Sequence, residues 1–147
     1  MVELPMNRAG LLLAFTLLPQ LAHAWSEPAR GSAERRAMMD ALRPHAEWLL
    51  DAPVEFVVGE LRVQGNSGMA MVSPQRPGGG AINLARTPMV LRDGADPDHM
   101  DGTDMQALLT RQGKTWVVVH WTIGATDVWW ADPQYCGKWG SVIPEVC

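Results

Sequence analysis

Only two of the 147 residues are cysteines, Cys136 and Cys147, and no CxxC or HExxH pattern accompanies them. A zinc centre built from such motifs is excluded, because tetrahedral coordination needs more ligands at fixed spacing. Charge is sparse as well: 19% of the side chains carry it, and 16 acidic against 12 basic groups leave a net −4. A surface of that sign has no general attraction for phosphate backbones, which argues against nucleic-acid binding. The apolar segment at residues 9–18 (AGLLLAFTLL) falls well short of the roughly 20 residues that cross a bilayer. Cofactor motifs are incomplete. Gly113-Lys114-Thr115 ends like a phosphate-binding loop, but Leu108 stands where that motif has glycine. Glycines 78–80 lack GxGxxG spacing, and residues 65–68 (GNSG) do not make GxSxG. No cofactor is expected.

What is present starts with an export label. Residues 1–24 read as a signal peptide: Arg8 near the start, the apolar segment, Pro19 as helix breaker, and Ala22-His23-Ala24 before Trp25 as cleavage site. The expected location is periplasmic or secreted, with no membrane span once the signal is removed. Glu3 cancels Arg8, so residues 25–147 keep the net −4. In an oxidising compartment Cys136 and Cys147 are expected to pair rather than stay as free thiols. Closing so short a loop stabilises the chain by about 3 kcal/mol in the chain-entropy model.

Residues 25–31 (WSEPARG) read as a flexible leader, and residues 32–147 as one domain. Ser32 suits a helix N-cap and Glu34 the first turn. Met38, Ala41, Leu42, His45, Trp48 and Leu49 then recur at helical steps, drawing one apolar face. Pro44 predicts a kink or restart, and Asp51-Ala52-Pro53 an end. Residues 54–63, 69–73, 105–111 and 115–123 read as strands, with turns around Gly65 and Gly113. Residues 74–80 (PQRPGGG) form a corner, 81–91 hold at most a short strand, and 92–104 form a polar loop. In the last strand Val117, Val119, Trp121 and Ile123 are expected to face the helix, with Trp116, Val118, His120 and Thr122 opposite. The order predicts an α+β fold, with an N-terminal helical segment packed on a four-stranded antiparallel meander.

Residues 36–44 (RAMMDALRP), 53–58 (PVEFVV), 74–79 (PQRPGG), 107–109 (ALL) and 123–128 (IGATDV) together resemble a group of small uncharacterised exported bacterial proteins. That resemblance covers most of residues 25–147 and implies no activity. Where those sequences tend to carry aromatic residues after the first hairpin turn, this chain has Gly68-Met69-Ala70-Met71. The helix-then-sheet order is also similar to cystatin-like and NTF2-like domains, a likeness of architecture alone.

Several residues are candidates for chemistry. Asp93, Asp96, Asp98, Asp101 and Asp104 surround His99, and oxygen-rich loops suit Ca²⁺. From Asp96, however, the EF-hand glycine position holds Asp101 and its glutamate position Ala107, so a solvated turn is expected; Asp96, Asp98 and Asp101 remain the ion candidates. His120 could act as a general base and Asp127 as its acid–base partner. Against that, a half-buried structural histidine and a turn-shaping aspartate are the plainer readings. Arg76 is the obvious cation to meet Asp127. Trp116, Trp121, Trp129, Trp130 and Trp139 crowd the C-terminal region with Tyr135, as at an interface or in a small core. Trp129 and Trp130 would point opposite ways if extended, exposing one.

The leading expectation is a non-catalytic binding module for an envelope protein or small ligand, using Arg76, Trp129 and Trp130. The alternatives are a small NTF2-like pocket enzyme using His120 and Asp127, which must then share a cavity, and an inhibitor of an envelope enzyme.

Overall fold

The computed structural model describes residues 25–147; the expected signal peptide, 1–24, lies outside the described residues. Ser32 caps the first helix, its hydroxyl accepting the Arg35 N–H at 3.2 Å. Helix α1 (Ala33–Leu50) buries Met38, Leu42, Ala46 and Leu50 along one stripe. Pro44 neither ends nor restarts it. It sits on the exposed side, where the carbonyl it leaves without a helical donor can turn to water. Trp48, expected on the apolar face, is 64% exposed. The buried stripe is centred on the 38-42-46-50 row, and at about 100° per residue position 48 lies well round toward the opposite side of the helix.

The helix stops at Asp51, whose φ of 69° leaves helical space, ahead of a cis Ala52–Pro53 peptide. Arg76 completes the stop. Its guanidinium donates to the carbonyls of Leu50, Asp51 and Pro53 at 2.7, 2.6 and 3.1 Å. A cation there satisfies orphan carbonyls and meets the negative end of the helix dipole. The expected Arg76–Asp127 pair is therefore not formed.

Strands β1 (Glu55–Gln64), β2 (Ser67–Gln75), β3 (Met105–Gln112) and β4 (Thr115–Ile123) make an antiparallel sheet in sequence order. The fold is α+β, a helix followed by a four-stranded meander. Gly65 and Gly113, at φ 57° and 63°, open the two hairpin turns with a conformation that suits glycine. Corner 76–80 closes on an Arg76–Gly80 bridge. No strand forms over 81–91. Instead a 3-10 turn (Leu84–Arg86) precedes α2 (Pro88–Leu91), with Pro88 at the first helical position, where its missing N–H costs nothing.

Two β-bulges decide which side chains face the helix. One falls between Val58 and Glu60, the other where Leu108–Leu109 meets 118–120. An inserted residue reverses the alternation. Thus Val54, Phe56 and Val58 face the helix before Gly59, and Leu61 and Val63 after it. In β4, Trp116 and Val118 join the helix-side core before Val119, and Trp121 and Ile123 after it. Val117 and Val119, expected toward the helix, are 40% and 42% exposed. Gly68 makes room for Trp116: a Cβ at position 68 would lie 2.8 Å from the indole and 3.3 Å from the Met38 methyl.

The opposite sheet face is also covered. Met69 and Leu108 lie beneath Trp130, Trp139, Val142 and Ile143, with Trp25, Trp129, Tyr135 and Val146 around them. A short helix, α3 (Cys136–Trp139), and two 3-10 turns shape this cap, and Cys136 is bonded to Cys147. The Trp139 indole donates to the Leu109 carbonyl at 2.8 Å, and the Ser67 hydroxyl to the Lys138 carbonyl at 2.7 Å. Arg62, buried on this face, donates to the Val142 carbonyl, pairs with Glu60 and Glu145, and lies 4.8 Å from the Trp25 ring. Trp25 thus belongs to the cap, and Ser26 pairs with Val63. The stretch expected as a free leader is tied to the sheet.

Candidate functional site

Helix α1 lies across the sheet with β1 to one side, and the space between them is an open groove of about 660 Å³. Its apolar lining is Phe56, Val58 and Met39, with Val57 also at the β1 side. Its walls carry Arg30, Arg35, Arg36 and Arg43 against two carboxylates, Asp40 and Glu55. A chain with a net charge of −4 therefore gathers an excess of positive charge at one place.

Arg35, Arg36 and Arg43 each donate to a main-chain carbonyl, which leaves their charge in place. Arg36 donates to the Gly31 carbonyl and Arg43 to the Val54 carbonyl. Arg43 also lies 5.6 Å from the Phe56 ring centre. Arg35 donates to the Pro28 carbonyl at 3.2 Å and reaches Glu27 at 3.3 Å. Among the described residues it is the one member of the four with an ion pair. Glu55 accepts from Gln75 at 2.7 Å. Guanidinium groups fixed over an apolar floor suit carboxylate recognition, through paired N–H donors above and chain contact below. The lining contains no histidine, cysteine or hydroxyl side chain; its titratable groups besides the arginines are the carboxylates of Asp40 and Glu55.

The residues singled out from the sequence lie elsewhere. His120 projects on the cap side, its ring 4.9 Å from Tyr135 and 5.4 Å from Trp139. Asp127 is exposed in the loop beyond β4. Further clefts lie between α1 and the start of β4 and beside Gly59, and neither His120 nor Asp127 lines these or the groove. Trp129 and Trp130 form a 3-10 turn rather than an extended pair. Trp130 is buried at 8% exposure, and the half-buried Trp129 donates to the Gln106 side chain at 3.0 Å. Their contact area is turned onto the sheet. Asp96 caps the turn Pro97–His99 by accepting the Asp98 N–H, and lies 3.1 Å from His99. Asp93 pairs with Arg92, and Asp104 accepts from Ser73. Among the described residues no three His, Cys, Asp or Glu side chains come together as a metal site would require, Asp96, Asp98 and Asp101 included.

The arginine groove was missed by the reading of the sequence. Its one trace there is the recurrence of arginine at positions 30, 35, 36 and 43, before a strand that begins with Glu55 and Phe56. Comparison with family models, with curated proteins and with solved structures finds no match for the chain.

Proposed function

We propose that the chain is an exported, non-catalytic binding domain that holds an anionic segment of a partner in the groove between α1 and β1. The observation that carries this is four arginines against two carboxylates over an apolar floor, in a chain of opposite overall sign. Export is supported by the Cys136–Cys147 bond, which suits an oxidising compartment, and by the signal-like composition of residues 1–24. The aromatic C-terminal region serves this reading as scaffold, since it covers the sheet.

The test is fluorescence anisotropy with a labelled glutamate-rich peptide, at low and high salt. Arg30 and Arg36 are exposed and replaceable without disturbing the core. R30E/R36E should weaken binding at least tenfold with an unchanged circular dichroism spectrum. Salt should weaken binding of the unaltered chain through screening. Equal affinity of variant and parent, or no affinity in either, would remove the proposal.

A further inference from the structure

Strand β1 stands at the edge of the sheet, paired with β2 on one side. The direction of its free main-chain groups follows from the register. Val63 exchanges both hydrogen bonds with Ser26, each at 2.9 Å, so its N–H and C=O point away from β2. Alternation turns Leu61 the same way. The bulge at Gly59 then resets the parity, and Val58 and Phe56 also point outward. The position opposite Phe56 checks this: it is Pro74, which has no N–H to give β1. Among the described residues, Ser26 is the one main-chain partner on that edge. The outward groups of Phe56 and Val58 open onto the groove, beside the arginines.

Resting on the groove reading, we infer that the bound segment is an extended acidic peptide, added to β1 as a fifth strand. Its main chain pairs with Phe56 and Val58, and carboxylates on alternate residues meet the arginines of α1. Strand addition draws affinity from main-chain hydrogen bonds and specificity from side chains of period two. The chain supplies its own precedent, since Ser26 already sits on this edge in antiparallel register. Unpaired edge groups also favour a peptide over other polyanions, which have no complementary row of N–H and C=O groups.

The experiment uses the full chain and a labelled decapeptide of alternating Glu and Thr. A Lys/Thr decapeptide, a Glu/Thr version N-methylated at alternate amides, and a heparin oligosaccharide serve as comparisons. The acidic peptide should bind at least tenfold tighter than the basic one, and N-methylation in the register facing β1 should weaken it at least tenfold. Amide exchange at Phe56 and Val58 should slow at least tenfold on binding. Tight acidic binding that ignores N-methylation and leaves those amides unprotected would overturn strand addition and leave the groove reading standing. Heparin binding without peptide binding would overturn the peptide and keep the arginines. Binding of none of the anionic probes would overturn both.

Discussion

Replacing Arg62 by methionine should release the C-terminal cap. Burial penalises the Arg62 cation, but hydrogen bonds and charge from Glu60 and Glu145 outweigh it and raise its pKa above the ordinary arginine value. Methionine fills much of the same apolar volume without the fork of donors. The Val142 carbonyl, which accepts from Arg62 at 2.8 Å in a buried contact, would lose that donor at a cost of about 1–3 kcal/mol. Glu60 and Glu145 are 31% and 41% exposed at their side chains, so water takes them back. Each lost pair then costs about 0–1 kcal/mol rather than the penalty of a stranded buried ion. Loss of the Trp25 contact adds about 0.5–2 kcal/mol. R62M should therefore lower unfolding stability by about 2–7 kcal/mol in urea titration, with R62K intermediate because one ammonium cannot serve all these acceptors. Amide exchange over residues 139–146 should accelerate before that of β2 and β3. A loss under about 1 kcal/mol, or unchanged exchange in the cap, would refute the assignment of Arg62 as the link between β1 and the C-terminal segment.

W130A should cost about 3–5 kcal/mol and loosen tertiary structure, because Trp130 covers Met69 and Leu108; a full-stability variant would contradict that packing. G68A should cost about 1–3 kcal/mol in a thermal melt, since its Cβ meets the Trp116 indole at 2.8 Å. No change in midpoint would mean that the ring has room to move. His45 lies with its ring centre 5.0 Å from that of Trp121, and burial lowers its pKa below the usual 6.5. The unfolded chain therefore takes that proton first as pH falls. Stability is full above about pH 6.5 and declines as pH drops toward the lower folded value. H45F should flatten this part of a urea-midpoint profile between pH 7.5 and 5. Asp93, held below its usual 3.8 by hydrogen bonding to Arg92, acts in a more acidic window and leaves that comparison undisturbed.

The hairpins were legible because local chemistry specifies them: Gly65 and Gly113 stand where the turns need positive φ, and a run of Val and Trp follows the second. The span 115–123 needed nothing more. The faces were not legible, because strict alternation knows nothing of an inserted residue. Gly59 and Val119 are ordinary letters until a partner strand lies beside them, and each reverses the inside and outside of its neighbours. The tryptophans are a third case. Their density fits an interface as well as a cap, and the choice rests on contacts such as Trp139 with Leu109, 30 positions apart. The groove was hidden for the same reason. On a helical wheel Arg36 and Arg43 are solvent-side charges, and they acquire a common purpose once the edge of β1 runs alongside them.

The covering over Met69 and Leu108 comes, apart from Trp25, from residues that follow the last strand. A chain synthesised from its amino end completes the meander before this material emerges. For that interval the sheet is greasy on a side that the finished molecule hides, and its neighbours in a crowded cell are other half-made chains. Truncation after Ile123 would make the interval permanent. Such a product should need a chaperone throughout its lifetime, whereas the complete chain should need one briefly.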